Sequence, residues 1–249
     1  MVDAAFFGTC PMVEAHRRFL LLGGAASLTL TLAGCNSSAR QGQLAARAPN
    51  PKAETLSAAE RAAASPRYTS LYGAVSDKFP INALKPGVVP EAYWRMEVDY
   101  VSGEQPGTII VDPRAHYLYF ILSGDRAMRY GVGVGKEGFG WNGVATIKSK
   151  QEWPDWYPPM EMIERDPSIK ERVGTLQSGI GVPGGLSNPL GARAMYLWQG
   201  NKDTLFRIHG TLEPWTIGKN VSSGCIRMVN QDVIDLYNRV AAGATVKVI

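Results

Sequence analysis

From Thr108 onward the chain is cut into short runs of β-branched and aromatic residues, each stopped by Gly, Pro, Asn or Asp. Such punctuation keeps long helices from propagating and leaves strand pairing as the way to bury the apolar residues. Thr108–Val111 and His116–Leu122 flank Asp112-Pro113-Arg114-Ala115, which predicts a β-hairpin. Ala127–Val134, Val144–Lys148, Ala194–Trp198 and Thr204–Ile208 are further expected strands. Asn230 then offers an N-cap, and Val233, Leu236, Tyr237 and Val240 recur at helical spacing. Gly243 ends that helix before a last strand over Thr245–Ile249. Residues 105–249 therefore read as one mixed, mainly β domain with a core of its own. The 27 glycines and 16 prolines fit this turn-rich reading and are too aperiodic for collagen.

The residues before this domain differ in character. Arg17-Arg18 precede Phe19–Ala33, a stretch without charge that is too short to cross a bilayer as a helix. A basic start, a short apolar run and small residues before a cut point make residues 1–35 an export signal. Leu32-Ala33-Gly34-Cys35 resembles the lipobox of bacterial lipoproteins, so Cys35 is expected to be acylated and to hold the protein on a membrane. The arginine pair also resembles a twin-arginine signal, and Met12 offers a second start. Residues 36–66 contain ten alanines and few bulky apolar groups, which reads as a flexible tether. Residues 67–104 are Pro-punctuated with scattered aromatics, an irregular lead-in packed on the domain that follows.

Several familiar patterns fail in their context. Gly131–Gly138 contains a GxGxxG string, but Phe139-Gly140-Trp141-Asn142-Gly143 after it is no helix start, and Glu137 follows Lys136 where a P-loop needs Ser or Thr. Three histidines and no HExxH or CxxC pair argue against a metal centre. No GxSxG elbow occurs. His116, among strand-forming aromatics, reads as structural. The net charge of +4 is spread over both parts of the chain, so no basic arm asks for nucleic acid.

What remains is His209-Gly210-Thr211 and, sixteen residues after the histidine, Cys225 within Ser222-Ser223-Gly224-Cys225-Ile226-Arg227-Met228. A cysteine nucleophile acts as its thiolate, whereas a free thiol has a pKa of about 8.5. A neighbouring imidazole takes that proton, and a nearby helix N-terminus favours the anion. An excursion that returns to the strand's end would bring His209 and Cys225 together. Gly224 lets the backbone approach a substrate carbonyl, and the Cys225 amide with a neighbour's would form an oxyanion hole. The same spacing also fits a buried structural cysteine near an unrelated histidine.

These two segments resemble the signature of the YkuD-type L,D-transpeptidases: a histidine followed, about fifteen residues on, by Ser/Thr-His-Gly-Cys, an apolar residue and Asn or Arg. Trp141-Asn142-Gly143, Glu152-Trp153-Pro154, Pro158-Pro159 and Asn188–Arg193 extend the likeness over residues 105–249. Ser223 stands where many members carry a second histidine, which leaves His209 as the base and Ser223 as a hydrogen-bonding support. The resemblance implies a mainly β, sandwich- or barrel-like catalytic domain with a few short helices and no metal or cofactor. It implies a peptidoglycan stem tetrapeptide as donor, attacked by Cys225 at the diaminopimelate–D-Ala bond and passed to an amine of a second stem or of a protein. Arg227 is then a candidate grip for a stem carboxylate, and Trp153 and Trp156 are candidate walls of the acceptor groove. A salt bridge for Arg227 and core burial for the tryptophans are the plain alternatives.

The expected location is the cell envelope, on the periplasmic side, through a lipid on Cys35. A cysteine peptidase of peptidoglycan and a non-catalytic wall-binding lipoprotein are the rival functions. Cys35→Ala should abolish uptake of labelled fatty acid by the expressed protein. Uptake that persists in this variant would show the signal to be misread.

Overall fold

The structure is a computed structural model that describes residues 57–63, 65–136 and 141–249. Cys35, the export signal, residues 36–56 of the tether and residues 137–140 of the glycine run lie outside the described residues. Four helices are present among them: α1 (Ala58–Ala63), α2 (Pro66–Tyr72), α3 (Met160–Arg165) and α4 (Asn230–Arg239). None is long and apolar enough to cross a membrane.

The strands are β1 (Met96–Asp99), β2 (Ile109–Asp112), β3 (Tyr117–Ile121), β4 (Arg126–Gly131), β5 (Val134–Gly135), β6 (Gly143–Glu152), β7 (Gly174–Leu176), β8 (Gly179–Gly181), β9 (Arg193–Gln199), β10 (Lys202–His209), β11 (Asn220–Ser222), β12 (Ile226–Arg227) and β13 (Thr245–Val248). Nine of them form one mixed sheet in the order β1-β4-β3-β2-β13-β6-β9-β10-β12. The β7–β8 and β11–β5 pairs stand apart from it. β13 runs parallel to β2 and antiparallel to β6, so Val246 faces Ile109 on one side and Ala145 on the other. The β2–β3 hairpin closes where Asp112 Oδ1 accepts from the amides of Arg114 and Ala115.

Helix α4 covers this sheet with Val233 and Leu236, which pack with Ile109, Ile147, Leu197, Ile208 and Val246 in the main core. Burying one such side chain stabilises the fold by roughly 1.5–3 kcal/mol. The helix starts differently from the sequence expectation. Val229 is its N-cap and offers no side-chain bond, while Asn230 is already helical. Asn230 Oδ1 instead accepts from the amide of Ala192, at 3.0 Å. A Cβ on Gly191 or on Gly210 would collide with that same oxygen. One side chain thus holds the start of α4, the Leu190–Ala192 loop and the end of β10 together.

Two strand boundaries also depart from expectation. β6 runs past Lys148 to Glu152, where Lys150 sets its ammonium over the Tyr237 ring and donates to the carbonyls of Tyr237 and Val240. β4 stops at Gly131, and Gly133 instead exchanges both backbone bonds with Arg227.

Residues 67–104 are not irregular throughout, since α2 is helical and β1 forms the sheet edge on β4. This segment grips α4 through polar groups. The Tyr72 hydroxyl accepts from the Arg95 amide and donates to Asp232, and Gln231 donates to the carbonyls of Gly73 and Asn82. The Arg95 guanidinium faces Asp232 at 3.7 Å and Asp235 at 3.2 Å.

Burial pushes the Asp232 carboxyl up to about 7, although Arg95 and the Tyr72 bond pull it down. Between its ordinary value and about 7 the folded chain keeps a proton that the unfolded chain has lost. Stability from this group therefore falls as pH rises through that window. Asp232→Asn should keep the Tyr72 bond and flatten the fall. Melting temperatures at mildly acidic and mildly alkaline pH should differ less for the variant than for the parent, and an equal change in both would refute this.

Candidate active site

His209 is the last residue of β10, and β12 returns beside it in parallel register, Ile208 opposite Ile226 and His209 opposite Arg227. The Met228 amide then donates to the His209 carbonyl, at 2.8 Å. A parallel partner requires a crossover, and residues 210–225 supply it through a short 3₁₀ turn at Pro214–Thr216 and strand β11 on β5. The return sets Cys225 immediately before β12, so His209 and Cys225 line one cavity of about 460 Å³. Ser222, Ser223, Trp156 and Arg227 line it too.

His209 is 5% exposed. Its Nδ1 lies 2.5 Å from the Gly210 carbonyl oxygen, which can only accept, so Nδ1 carries the proton and Nε2 keeps its lone pair. Burial, with the charges of Arg227 and Arg207, lowers the imidazole to about 4 against the Gly210 bond. Nε2 is thus a neutral acceptor at neutral pH.

Cys225 is half-buried, and its thiol donates weakly to the Leu205 carbonyl at 3.9 Å. Burial pushes the thiol above its ordinary value, although the Arg207 amide and the Arg207 and Arg227 charges work the other way. The resting pair is therefore thiol and neutral imidazole. Among the described residues no hydrogen bond joins the two side chains.

The carbonyl that meets the thiol comes from an irregularity. Between Asp203 and Arg207 the β10–β9 register shifts, and Leu205 takes φ +63° with its side chain outward. Asp203 holds the turn by accepting from the Leu205 amide and by a two-point pair with the Arg207 guanidinium at 2.7 and 2.8 Å. Arg207 also lies over the Tyr196 ring.

The loop before Cys225 is closed by Ser222. Its Oγ accepts from the Gly224 amide at 3.1 Å and donates to the Cys225 carbonyl at 2.6 Å. Gly224 sits at φ +118°, a conformation that side chains rarely adopt. Its amide is consumed within the loop, whereas no hydrogen bond to a described residue engages the Cys225 amide. Ser223 is exposed at the cavity wall and makes no hydrogen bond to a described residue, so the support expected from Ser223 comes from Ser222. A serine two residues before a glycine is a local loop-closing pattern, and that signal was available in the sequence.

Trp156 reaches the cavity, but Trp153 does not. Trp153 is 5% exposed and packs with Ile81, Ala192 and the edge of Phe79. Arg227 donates to Glu213 at 2.7 Å and lines the cavity beside it. Among the described residues no three His, Cys, Asp or Glu side chains gather as a metal-binding group.

Residues 106–248 match the YkuD family, described as an L,D-transpeptidase catalytic domain, and the chain belongs to that family. The chain is similar to the Escherichia coli protein named Probable L,D-transpeptidase ErfK/SrfK, with 32% identity over 148 residues, 57% of this chain and 43% of that protein. Over 61 residues it is 46% identical to the Bacillus subtilis protein named Putative L,D-transpeptidase YkuD, covering 24% of this chain and 37% of that one. A solved Brucella melitensis chain, described as a probable carnitine operon oxidoreductase, is 51% identical over 61% of this chain and 90% of its own, with a TM-score of 0.43. The chain spans less than half the length of the Escherichia coli relative.

A neutral pair in the free protein has a measurable signature. Alkylation of Cys225 should rise with pH along a curve whose midpoint lies above the ordinary thiol value of about 8.5. His209→Ala should leave that midpoint nearly unmoved, because a neutral imidazole lends the thiolate no charge. A midpoint near neutrality that moves up in His209→Ala would show a preformed ion pair instead.

Proposed function

We propose that this domain is a peptidoglycan L,D-transpeptidase with Cys225 as nucleophile and His209 as its base. The observation that carries this reading is the free Nε2 lone pair of His209 in the cavity that Cys225 also lines. Sulfur attacks the carbonyl of a diaminopimelate–D-Ala bond while the thiol proton passes to Nε2. The negative oxygen that develops takes the unengaged Cys225 amide, and the fixed Ser222–Gly224–Cys225 loop keeps that donor from reorganising. Burial makes the imidazolium a strong acid, so it hands its proton to the departing amine of D-Ala. An amine then attacks the thioester, Nε2 takes its proton, and the thiol is restored.

The acceptor is a second stem, with a protein amine or water as the rivals to be separated by product. The domain acts in the cell envelope, and Cys35 holds it on a membrane. Trp156 forms one wall of the substrate groove.

The test is mass spectrometry of purified muropeptides incubated with the protein. Cross-linked dimers and released D-Ala are expected, and Cys225→Ala should form neither. His209→Ala should acylate about 10²–10⁴-fold more slowly. A tripeptide product without dimers would make the protein a hydrolase, and D-Ala release by Cys225→Ala would remove the nucleophile from its role.

A further inference from the structure

Two arginine–carboxylate pairs flank the nucleophile, and they are built differently. Asp203 and Arg207 use both carboxylate oxygens and two guanidinium nitrogens, with the Tyr196 ring against the cation. That pair is closed on itself. Arg227 and Glu213 share a single contact, Nη1 to Oε2. Glu213 Oε1 has no hydrogen-bond partner among the described residues, and the other N–H donors of Arg227 have none either. The first pair is absent from the cavity wall, while both members of the second line it.

The open pair is nevertheless held firmly at its backbone. Arg227 exchanges both main-chain bonds with Gly133, at 2.8 and 2.9 Å. The Glu213 amide donates to Thr211 Oγ1, and its carbonyl accepts from the amide and hydroxyl of Thr216. Two fixed anchors with unused donors and acceptors make a ready-made polar grip. The side chains are 23% and 49% exposed, so a ligand can reach both.

The charge around the rest of the cavity points the same way. Asp166 and Arg172 also line the cavity, and each is tied locally, Asp166 to Ser168 and Arg172 to the Ser187 carbonyl. Among the described lining residues, with His209 neutral, the acids Asp166 and Glu213 balance the bases Arg172 and Arg227. A balanced wall suits neither a plain anion nor a plain cation. It suits a group that carries both signs a bond or two apart.

We infer that Glu213 and Arg227 together form a subsite for a zwitterionic α-amino acid head, the carboxylate on Arg227 and the ammonium on Glu213. This rests on the transpeptidase reading above, in which diaminopimelate carries such a head at the end of its side chain. The head belongs either to the donor stem under attack or to the acceptor stem whose amine resolves the thioester. The chemistry recognised is the same in both.

The test uses the full chain with Cys225→Ala and four tetrapeptides that differ only in the third side chain. One carries meso-diaminopimelate, one its carboxamide, one its acetylated amine, and one L-lysine. Calorimetry should give the parent peptide about tenfold tighter binding than each of the others. Adding Arg227→Gln should bring the carboxamide and parent peptides to near-equal affinity. Adding Glu213→Gln should do so for the acetylated and parent peptides.

The same substitutions with Cys225 intact separate the two sources. Slower first-turnover release of D-Ala places the head on the donor. Unchanged release with slower transfer to an amine places it on the acceptor, and there the affinity gaps appear with acceptor peptides instead. Arg227→Lys, which keeps the charge without the planar fork, replaces Arg227→Gln if the latter does not fold. Variants that weaken all peptides equally, or none, overturn the subsite. Intact discrimination with no D-Ala release by the Cys225 protein refutes the transpeptidase reading and leaves the subsite standing.

Discussion

The site depends on two residues' worth of parallel pairing between β10 and β12, extended by the Met228 amide on the His209 carbonyl. Parallel neighbours cannot be joined by a tight turn, so the chain must travel and come back. That return places a residue late in the sequence beside one at a strand end. Asn230 secures the junction by filling the gap that the missing side chains of Gly191 and Gly210 leave. The glycine beside His209 is thus a packing requirement of the next helix. A side chain there would displace the Asn230 carboxamide and break its bond to the Ala192 amide.

Around this junction electrostatics and burial pull in opposite directions. Burial strengthens the polar contacts a group makes, yet it penalises charge on that group. In the free protein the penalty wins, and thiol and imidazole both stay neutral. In the proposed reaction, proton transfer and carbon–sulfur bond formation proceed together, when the substrate supplies a place for the negative charge. A nucleophile kept as a thiol is also less open to adventitious oxidation than a standing thiolate.

Much of the sheet was readable from local composition, because β2, β3, β9 and β13 are dense in β-branched and aromatic residues. The amphipathic α4 was readable from the spacing of Val233, Leu236 and Tyr237. The end of β6 was not, since Lys150 is held there by the Tyr237 ring and by carbonyls of α4 and its C-cap, far along the chain. Whether Trp153 walls the groove or joins the core was not legible, because a tryptophan's burial is set by partners distant in the chain, here Ile81 and Phe79. His209 and Cys225 were visible through a motif. Glu213 was not, because a carboxylate in a turn has no local mark until a strand brings an arginine to it. Ser222 and Ser223 differ only in which of two adjacent hydroxyls the loop folds around, and backbone geometry decides that.

The place of β13 bears on how such a chain is made. β1 to β4 form one half of the nine-stranded sheet, β6, β9, β10 and β12 form the other, and β13 is the strand between them. A ribosome delivers this strand after every other element described. Until it emerges, neither half has its central neighbour, and the sheet cannot close during synthesis. A newly made chain therefore lacks the strand between its two half-sheets until translation has passed Val248.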